Sequence, residues 1–369
     1  VKRLLLIGGG PAHAEVLVAL AQAATANAEV TVIHPRRQMP WTPLLPGLVA
    51  GHHAHEACHY DLAALARAAG AAFVEEPVVA FEADARMAVT GDGREWPFDF
   101  ASLDVDASTL AADVPGVRQN ALLTRPVHVF LEGWERVVEL VAEGALKRLT
   151  FVGGEAGSVG LFLAMRERLR AQVAAERFAA LGFCLVTPGA RLCETGPHAL
   201  SEALESVCLA RGISLLRGSA VTEVAPDGVQ LANGARLASD VTIWSQGRHA
   251  PRWMSASGIV CDEAGAVQVD PQLRSRSHPH VFAAGDCATG EGPAQPAQPA
   301  LLAANLAAAL AAQPLAAAVP TTDPPLWIDL GTREAVGVVA GRARLNWRWW
   351  WWRRMDQSSR KALARYRGG

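Results

Sequence analysis

The chain has 369 residues, half of them hydrophobic and 19% charged, with 34 Lys+Arg against 36 Asp+Glu for a formal charge of −2. At roughly 150 residues per domain it holds two domains or three, and so much apolar material excludes a disordered chain or a small disulfide-stapled scaffold. The balanced charge argues against a general nucleic-acid binder, and one oddity is left: 11 Trp and 10 Phe stand beside only 2 Tyr.

Lys2 and Arg3 precede a leucine run that ends after four residues at Gly8, short of the roughly 7–15 apolar residues of a signal peptide. No uncharged stretch reaches the roughly 18–20 apolar residues of a membrane span, so a cytoplasmic location is expected. The six cysteines form no CxxC pair and are expected to be reduced thiols acting as small hydrophobes.

A strand over 2–7, a glycine turn over 8–10, a helix over 12–24 and a strand over 29–33 make a βαβ opening. A helix over 61–69 leads to strands over 71–75, 78–82, 86–90 and 95–98, with Asp92-Gly93 as a hairpin turn. A strand over 100–105 closes the set. The order then recurs: strand 149–152, Gly153-Gly154, helix 157–180 and strand 183–187. Helix 197–210, strands 213–216 and 221–224, the turn Asn233-Gly234 and strand 240–244 follow. Gly153 lies 145 residues after Gly8, and Gly234 lies 141 after Gly93. The pattern predicts an α/β fold of two Rossmann-like dinucleotide-binding domains, each βαβ plus β-meander. The first domain is discontinuous, 1–110 and 238–315; the second is 111–237; a short C-terminal part covers 316–369.

In such a fold the first glycine permits the tight turn, and the second lets the backbone approach a pyrophosphate. Gly8 and Gly10 fill those places. The helix that starts at Pro11 and Ala12 offers N–H groups and a positive dipole end. His13 stands at the third glycine position, its ring in reach of a phosphate. The acid that ordinarily ends the second strand and binds ribose is replaced by His34, followed by Pro35, Arg36 and Arg37 near the adenosine end. With a strand before it and a helix after it, this turn reads as a nucleotide site.

The second turn, Gly153-Gly154-Glu155-Ala156-Gly157-Ser158, departs from GxGxxG. Glu155 takes the second glycine place, where a carboxylate fills the space and repels a diphosphate. Two unit charges ~4 Å apart cost ~1 kcal/mol in water and several times that in a partly buried site. Thr187 ends the next strand where a ribose-binding acid often sits. Weak or absent dinucleotide binding is expected here; binding in an altered register is the alternative.

His52, His53, His55 and His59 crowd one stretch with Glu56 and Cys58. They read as a polar connector rather than a metal site, although helical spacing would put His55 and His59 on one face. Residues 342–369 hold nine Arg/Lys and one acid, Asp356, for a net +8, and five of the 11 Trp. A Trp- and Arg-rich segment too short to span a membrane suits an interfacial anchor. It also suits a protein interface or packing on the body itself.

The segments Ile7-Gly8-Gly9-Gly10-Pro11-Ala12-His13, Trp41-Thr42-Pro43-Leu44-Leu45-Pro46-Gly47, Ser102-Leu103-Asp104-Val105 and His280-Val281-Phe282-Ala283-Ala284-Gly285-Asp286-Cys287 resemble the FAD-containing pyridine nucleotide-disulfide oxidoreductase superfamily. The resemblance covers about 1–315. It is nearest to the type II NADH dehydrogenase-like branch, with its subgroup found alone or fused ahead of selenide, water dikinase. That subgroup has histidine at the third glycine place and lacks the strand-end acid.

The resemblance implies FAD in the first unit, held by Gly8, Gly10, Pro11, Ala12, His13, His34, Pro35, Arg36 and Val78. It implies Gly285 and Asp286 at the ribityl chain, Pro43, Leu44 and Leu45 beside the isoalloxazine, and Gln298 at the helix aimed at the flavin. Ala294-Gln295-Pro296-Ala297-Gln298 partly matches a quinone-associated element. The stretch 42–51 has no cysteine pair, which argues against thiol–disulfide chemistry. The implied function is an FAD-dependent oxidoreductase passing two electrons through the flavin to a small-molecule acceptor, a quinone among them. NAD(P)H is doubtful as donor because of Glu155. The alternative is an accessory flavoprotein that docks a partner through its tail. The superfamily's quinone-reducing members hold to the membrane by C-terminal segments, which would put the tail at the inner membrane face. The sequence assigns no catalytic residue, metal or nucleic acid.

Overall fold

The computed structural model describes residues 1–23, 28–108, 114–291, 297–318, 326–339 and 342–367. The boundary expected at 110/111, the end of the first helix at Ala24 and the Ala294–296 stretch lie outside them.

Two five-stranded parallel sheets organise the α/β fold. The first runs in the order Val281–Ala283, Phe100–Leu103, Lys2–Ile7, Ala28–Ile33, Ala72–Val74. Parallel strands covered on both faces read as continuous apolar runs, and Leu4, Leu5, Leu6 and Ile7 are all buried. Helix Pro11–Ala23 packs on this sheet with helices Leu62–Ala68 and Gln298–Leu310 beside it. The second sheet runs Ala121–Leu123, Val241–Trp244, Arg148–Val152, Gly182–Val186, Ile213–Leu216. Each sheet carries a three-stranded antiparallel meander: Val78–Glu82, Met87–Thr90 and Glu95–Pro97 for the first, Val221–Ala225, Gly228–Leu231 and Arg236–Ala238 for the second.

Two expectations shift. Strand Val241–Trp244 is a central strand of the second sheet, paired with Arg148–Val152, so the return to the first unit falls after Trp244 rather than at 238. The helix expected over 157–180 breaks into Ala156–Gln172 and Ala175–Ala179, because Val173 turns extended and buries its side chain in the second core.

The C-terminal part forms structure that the sequence pattern did not reveal. Strands Leu326–Asp329, Ala335–Val339 and Arg342–Arg344 make a small antiparallel sheet whose Ile328, Leu330, Val336 and Val338 enter the second core. Helix Arg348–Tyr366 then runs 19 residues, about 28 Å at 1.5 Å per residue, and buries Leu363 and Tyr366 in the first core.

Candidate cofactor site

Gly8 has a left-handed backbone (φ +105°), and a Cβ there would lie 2.1 Å from the Asp104 carbonyl oxygen, so only glycine fits. Gly10 is demanded by a side chain: its Cβ would meet Asp104 Oδ1 at 2.4 Å. Asp104 follows strand Phe100–Leu103 and is buried. Its Oδ2 accepts the N–H groups of Ala12 (2.9 Å) and His13 (3.0 Å), while Pro11 has no N–H to give. Two donors expected to face a phosphate are therefore taken by the protein's own carboxylate. Burial lifts the Asp104 carboxyl to about 7 in spite of those bonds.

His13 departs from its expected role. The ring is fully buried, with Nδ1 2.9 Å from the Gly8 carbonyl oxygen and Nε2 2.9 Å from Ser102 Oγ. Burial lowers it to about 4, so at neutral pH the uncharged imidazole donates to Gly8 and accepts from Ser102. It ties the turn to the neighbouring strand and has no nitrogen left for a phosphate.

A cleft of about 370 Å³ opens beside Gly8, lined by His34, Pro35, Arg36 and Val78 together with Asp106, His128 and Trp253. Its volume falls in the ordinary range of small-molecule sites, roughly 300–1,000 Å³. His34 Nδ1 lies 2.9 Å from the Arg36 carbonyl oxygen and 3.1 Å from the Arg36 backbone nitrogen.

Asp286 sits in the short helical turn Gly285–Cys287 and pairs with Arg125 and, at 3.4 Å, Arg248. The Gly285 N–H donates to Gln298 Oε1 at 2.8 Å. Gln298 is buried, and this bond braces the turn that carries Asp286. The stretch 42–45 splits likewise: Leu44 enters the first core, Pro43 is exposed and Leu45 lines a second cleft. Cys287 is buried and donates to the Ala284 and Leu103 carbonyls, and burial pushes its thiol far up. All six cysteines are free thiols.

The second cleft, about 1,010 Å³, lies between Thr42, Leu45 and Pro46 on one side and Gly154, Glu155, Ser158 and Thr187 on the other, with Arg125 and Arg248 on its wall. Glu155 is the exposed N-cap of helix Ala156–Gln172 and its side chain makes no capping bond. Glu194 adds a second carboxylate, whereas Arg191 is turned to the carbonyls of Cys193 (3.2 Å) and Gly196 (2.8 Å). Val127 lines both clefts.

The histidine-rich stretch receives the tail. His53 Nε2 lies 2.9 Å from Asp356, and its Nδ1 accepts from Arg360 at 2.9 Å. His52 meets Trp352 edge-on, and His55 stacks on His59 at 4.0 Å. Trp352 Nε1 donates to Asp329 (2.9 Å), Trp351 stacks on Trp327, and Tyr366 donates to Glu15 (2.9 Å). Part of the tryptophan excess is thus internal packing. Trp347, Trp349 and Trp350 are 79%, 56% and 41% exposed, so part is not. Among the described residues no helix is long and apolar enough to cross a membrane.

Sequence reasoning missed Asp104 as the turn's own anion, and Asp106, Arg125 and Arg248 as lining groups. For Asp104 a signal was present: an acid closing an otherwise apolar strand needs a partner.

The pyridine nucleotide-disulphide oxidoreductase family matches residues 2–304, and the chain belongs to it. An NADH dehydrogenase-like protein of Mycobacterium tuberculosis is 28% identical over 249 residues, 63% of this chain and 59% of that protein. The chain thus spans somewhat over half the length of that relative. Among solved structures, the sulfide:quinone oxidoreductase of Aquifex aeolicus superposes with a TM-score of 0.80 at 17% identity, covering 98% of this chain and 92% of that one. The NDH2 of Plasmodium falciparum in complex with NADH gives 0.68 at 16% identity, over 79% and 65%. At these identities the two structures are likenesses of fold.

Proposed function

We propose that the chain is an FAD-dependent oxidoreductase: the first unit holds FAD and the inter-unit cleft admits a small-molecule electron acceptor, a quinone by class. The observation that carries this reading is the adjacency of the two clefts, which share Val127 as a lining residue, with Gly8 in the wall of the first and Leu45 in the wall of the second. Left-handed Gly8, the apolar walls of Ile33 and Val78 and the cationic Arg36 fit an adenosine dinucleotide. Bound FAD would supply the two-electron chemistry. The chain's residues position it: Gln298 fixes Gly285, and Arg125 and Arg248 hold the Asp286 carboxylate for hydroxyl groups of the cofactor chain. Leu45 and Pro46 give the acceptor an apolar wall.

The unit limits proposed are 1–110 with 245–315, 111–244 and 316–369, because strand Val241–Trp244 belongs to the second sheet. Within the family, the type II NADH dehydrogenase-like branch is supported by the mycobacterial relative. The subgroup related to the domain fused to selenide, water dikinase rests on sequence marks alone, His13 at the third glycine place and His34 at the strand end. The exposed face of Trp347, Trp349 and Trp350 is read as the contact to a cytoplasmic membrane face or a protein partner.

A second reading, an accessory flavoprotein that keeps FAD and docks a partner, draws on Glu155. Its carboxylate at the helix N-terminus opposes NAD(P)H in the wide cleft. The absorption spectrum of the purified protein, before and after anaerobic NADH, with a steady-state NADH:quinone assay, separates the two. A colourless protein that takes up no added FAD would sink both.

A further inference from the structure

We propose that Asp106 is the ribose ligand of the first cleft, accepting the adenosine 2′- and 3′-hydroxyls in place of the strand-end acid that this chain lacks. The inference rests on the FAD reading above.

The second strand of a dinucleotide fold ordinarily ends in a carboxylate that takes the ribose hydroxyls. Here that strand ends at Ile33 and is followed by His34. His34 Nδ1 is engaged by the Arg36 backbone, 2.9 Å from its carbonyl oxygen and 3.1 Å from its nitrogen, so in either tautomer the imidazole has at most one ring nitrogen, Nε2, to offer a ligand. A diol entering this end of the cleft therefore finds no pair of acceptor oxygens on the second strand.

Asp106 lines the same cleft as Gly8, His34 and Arg36. It lies close enough to His34 for each to feel the other's charge. Its side chain is open to the cleft and makes no hydrogen bond or ion pair with any described residue. The backbone on both sides is fixed. Asp104 is locked into the glycine turn, Ala107 is buried, and Ser108 exchanges two backbone hydrogen bonds of 2.9 Å with His249. A carboxylate carried on a fixed backbone, facing a cleft and without a hydrogen-bond or ion-pair partner among the described residues, is placed for a ligand with two adjacent donors. Its two oxygens match a cis diol, which a single imidazole nitrogen does not. Enclosure by the cleft walls raises the Asp106 carboxyl, while Arg125, His34 and His128 pull it back down. The residue also reaches the site from the strand on the other side of the glycine turn, Phe100–Leu103. The acid is thus relocated across the cleft rather than lost.

The test compares full-length wild type, Asp106→Asn and Asp106→Ala, freed of flavin. Each is titrated calorimetrically with ADP and with 2′,3′-dideoxy-ADP, and with FAD by fluorescence quenching. Hydrogen bonds to a charged acceptor are worth roughly 1.5–3 kcal/mol, or about ten- to a hundredfold in affinity. Both variants are expected to lose about that much for ADP and FAD, with dideoxy-ADP affinity unchanged, and wild type to prefer ADP over dideoxy-ADP by a similar factor. Equal losses on the two analogues, no loss, or tighter binding by the variants would overturn the role of Asp106 while leaving FAD binding intact. Wild type that binds neither ADP nor FAD would overturn the cofactor reading as well. Thermal melting of the free proteins separates misfolding from lost recognition.

Discussion

The Asp104 carboxylate accepts the backbone N–H of His13 at 3.0 Å, and burial displaces the two side chains in opposite senses, Asp104 up to about 7 and His13 down to about 4. Their effects on stability oppose each other. Between about pH 4 and 7 the folded state holds a proton on Asp104 that the unfolded chain releases, so this contribution is lost as pH rises through 7. Between about pH 4 and 6.5 the unfolded chain holds a proton on His13 that the folded state does not, so that contribution is lost as pH falls toward 4. Each is on the order of 3–4 kcal/mol, and in the wild type they largely offset. Asp104→Asn should lose stability relative to wild type as pH falls from 6.5 to 4. His13→Gln should gain it as pH falls from 7 to 4. Urea unfolding at four or five pH values checks both slopes, and parallel curves for all three proteins would reject the assignment.

The first turn also predicts a coupling. A Cβ on Gly10 would press on Asp104 Oδ1, whereas one on Gly8 would press on the Asp104 backbone carbonyl. Gly10→Ala and Asp104→Ala should each destabilise by about 2–3 kcal/mol, the latter by orphaning the N–H groups of Ala12 and His13. The double variant should cost at least ~1 kcal/mol less than their sum, because the clash disappears with the carboxylate. Gly8→Ala should show no such relief. Chemical denaturation of the four proteins measures it.

How far the sequence carried depended on whether local pattern or distant partner set the structure. The strand–turn–helix around Gly8, the paired meanders and the second βαβ follow from apolar runs and Asp-Gly or Asn-Gly turns, all local signals. The roles of His13 and Gln298 were not legible, since each is fixed by a residue outside its own helix: Ser102 for His13, and Gly285 for Gln298. Nor was the small sheet that starts at Leu326, whose strands are short and gain their burial from the second unit.

The tail should separate into two functions by face. Asp356 is buried between His53 and Arg360, 2.9 Å from each. Asp356→Ala should therefore cost about 1–3 kcal/mol and speed hydrogen exchange across helix Arg348–Tyr366. Trp349 and Trp350 face outward with Arg353 and Arg354 over their rings. Replacing both by Ser should change unfolding by no more than about 0.5 kcal/mol. The same change should reduce co-sedimentation with phosphatidylglycerol vesicles. Unaltered sedimentation would remove the membrane from the proposal and leave a protein partner.

Glu155 offers the sharpest test of electron supply. It caps helix Ala156–Gln172 from the place where a glycine would let a diphosphate approach the backbone, and its side chain is exposed to the wide cleft. Removing one negative charge ~4 Å from a phosphate is worth ~1 kcal/mol in water and more where solvent is partly excluded. Glu155→Gly should therefore tighten NADH binding about tenfold or more. In the flavin-loaded protein it should produce or quicken bleaching of the flavin band under anaerobic NADH. Stopped-flow absorbance of the two proteins reads this directly. Rapid bleaching of the unmodified protein would show that the second cleft works with Glu155 in place, and the donor would then be NADH after all.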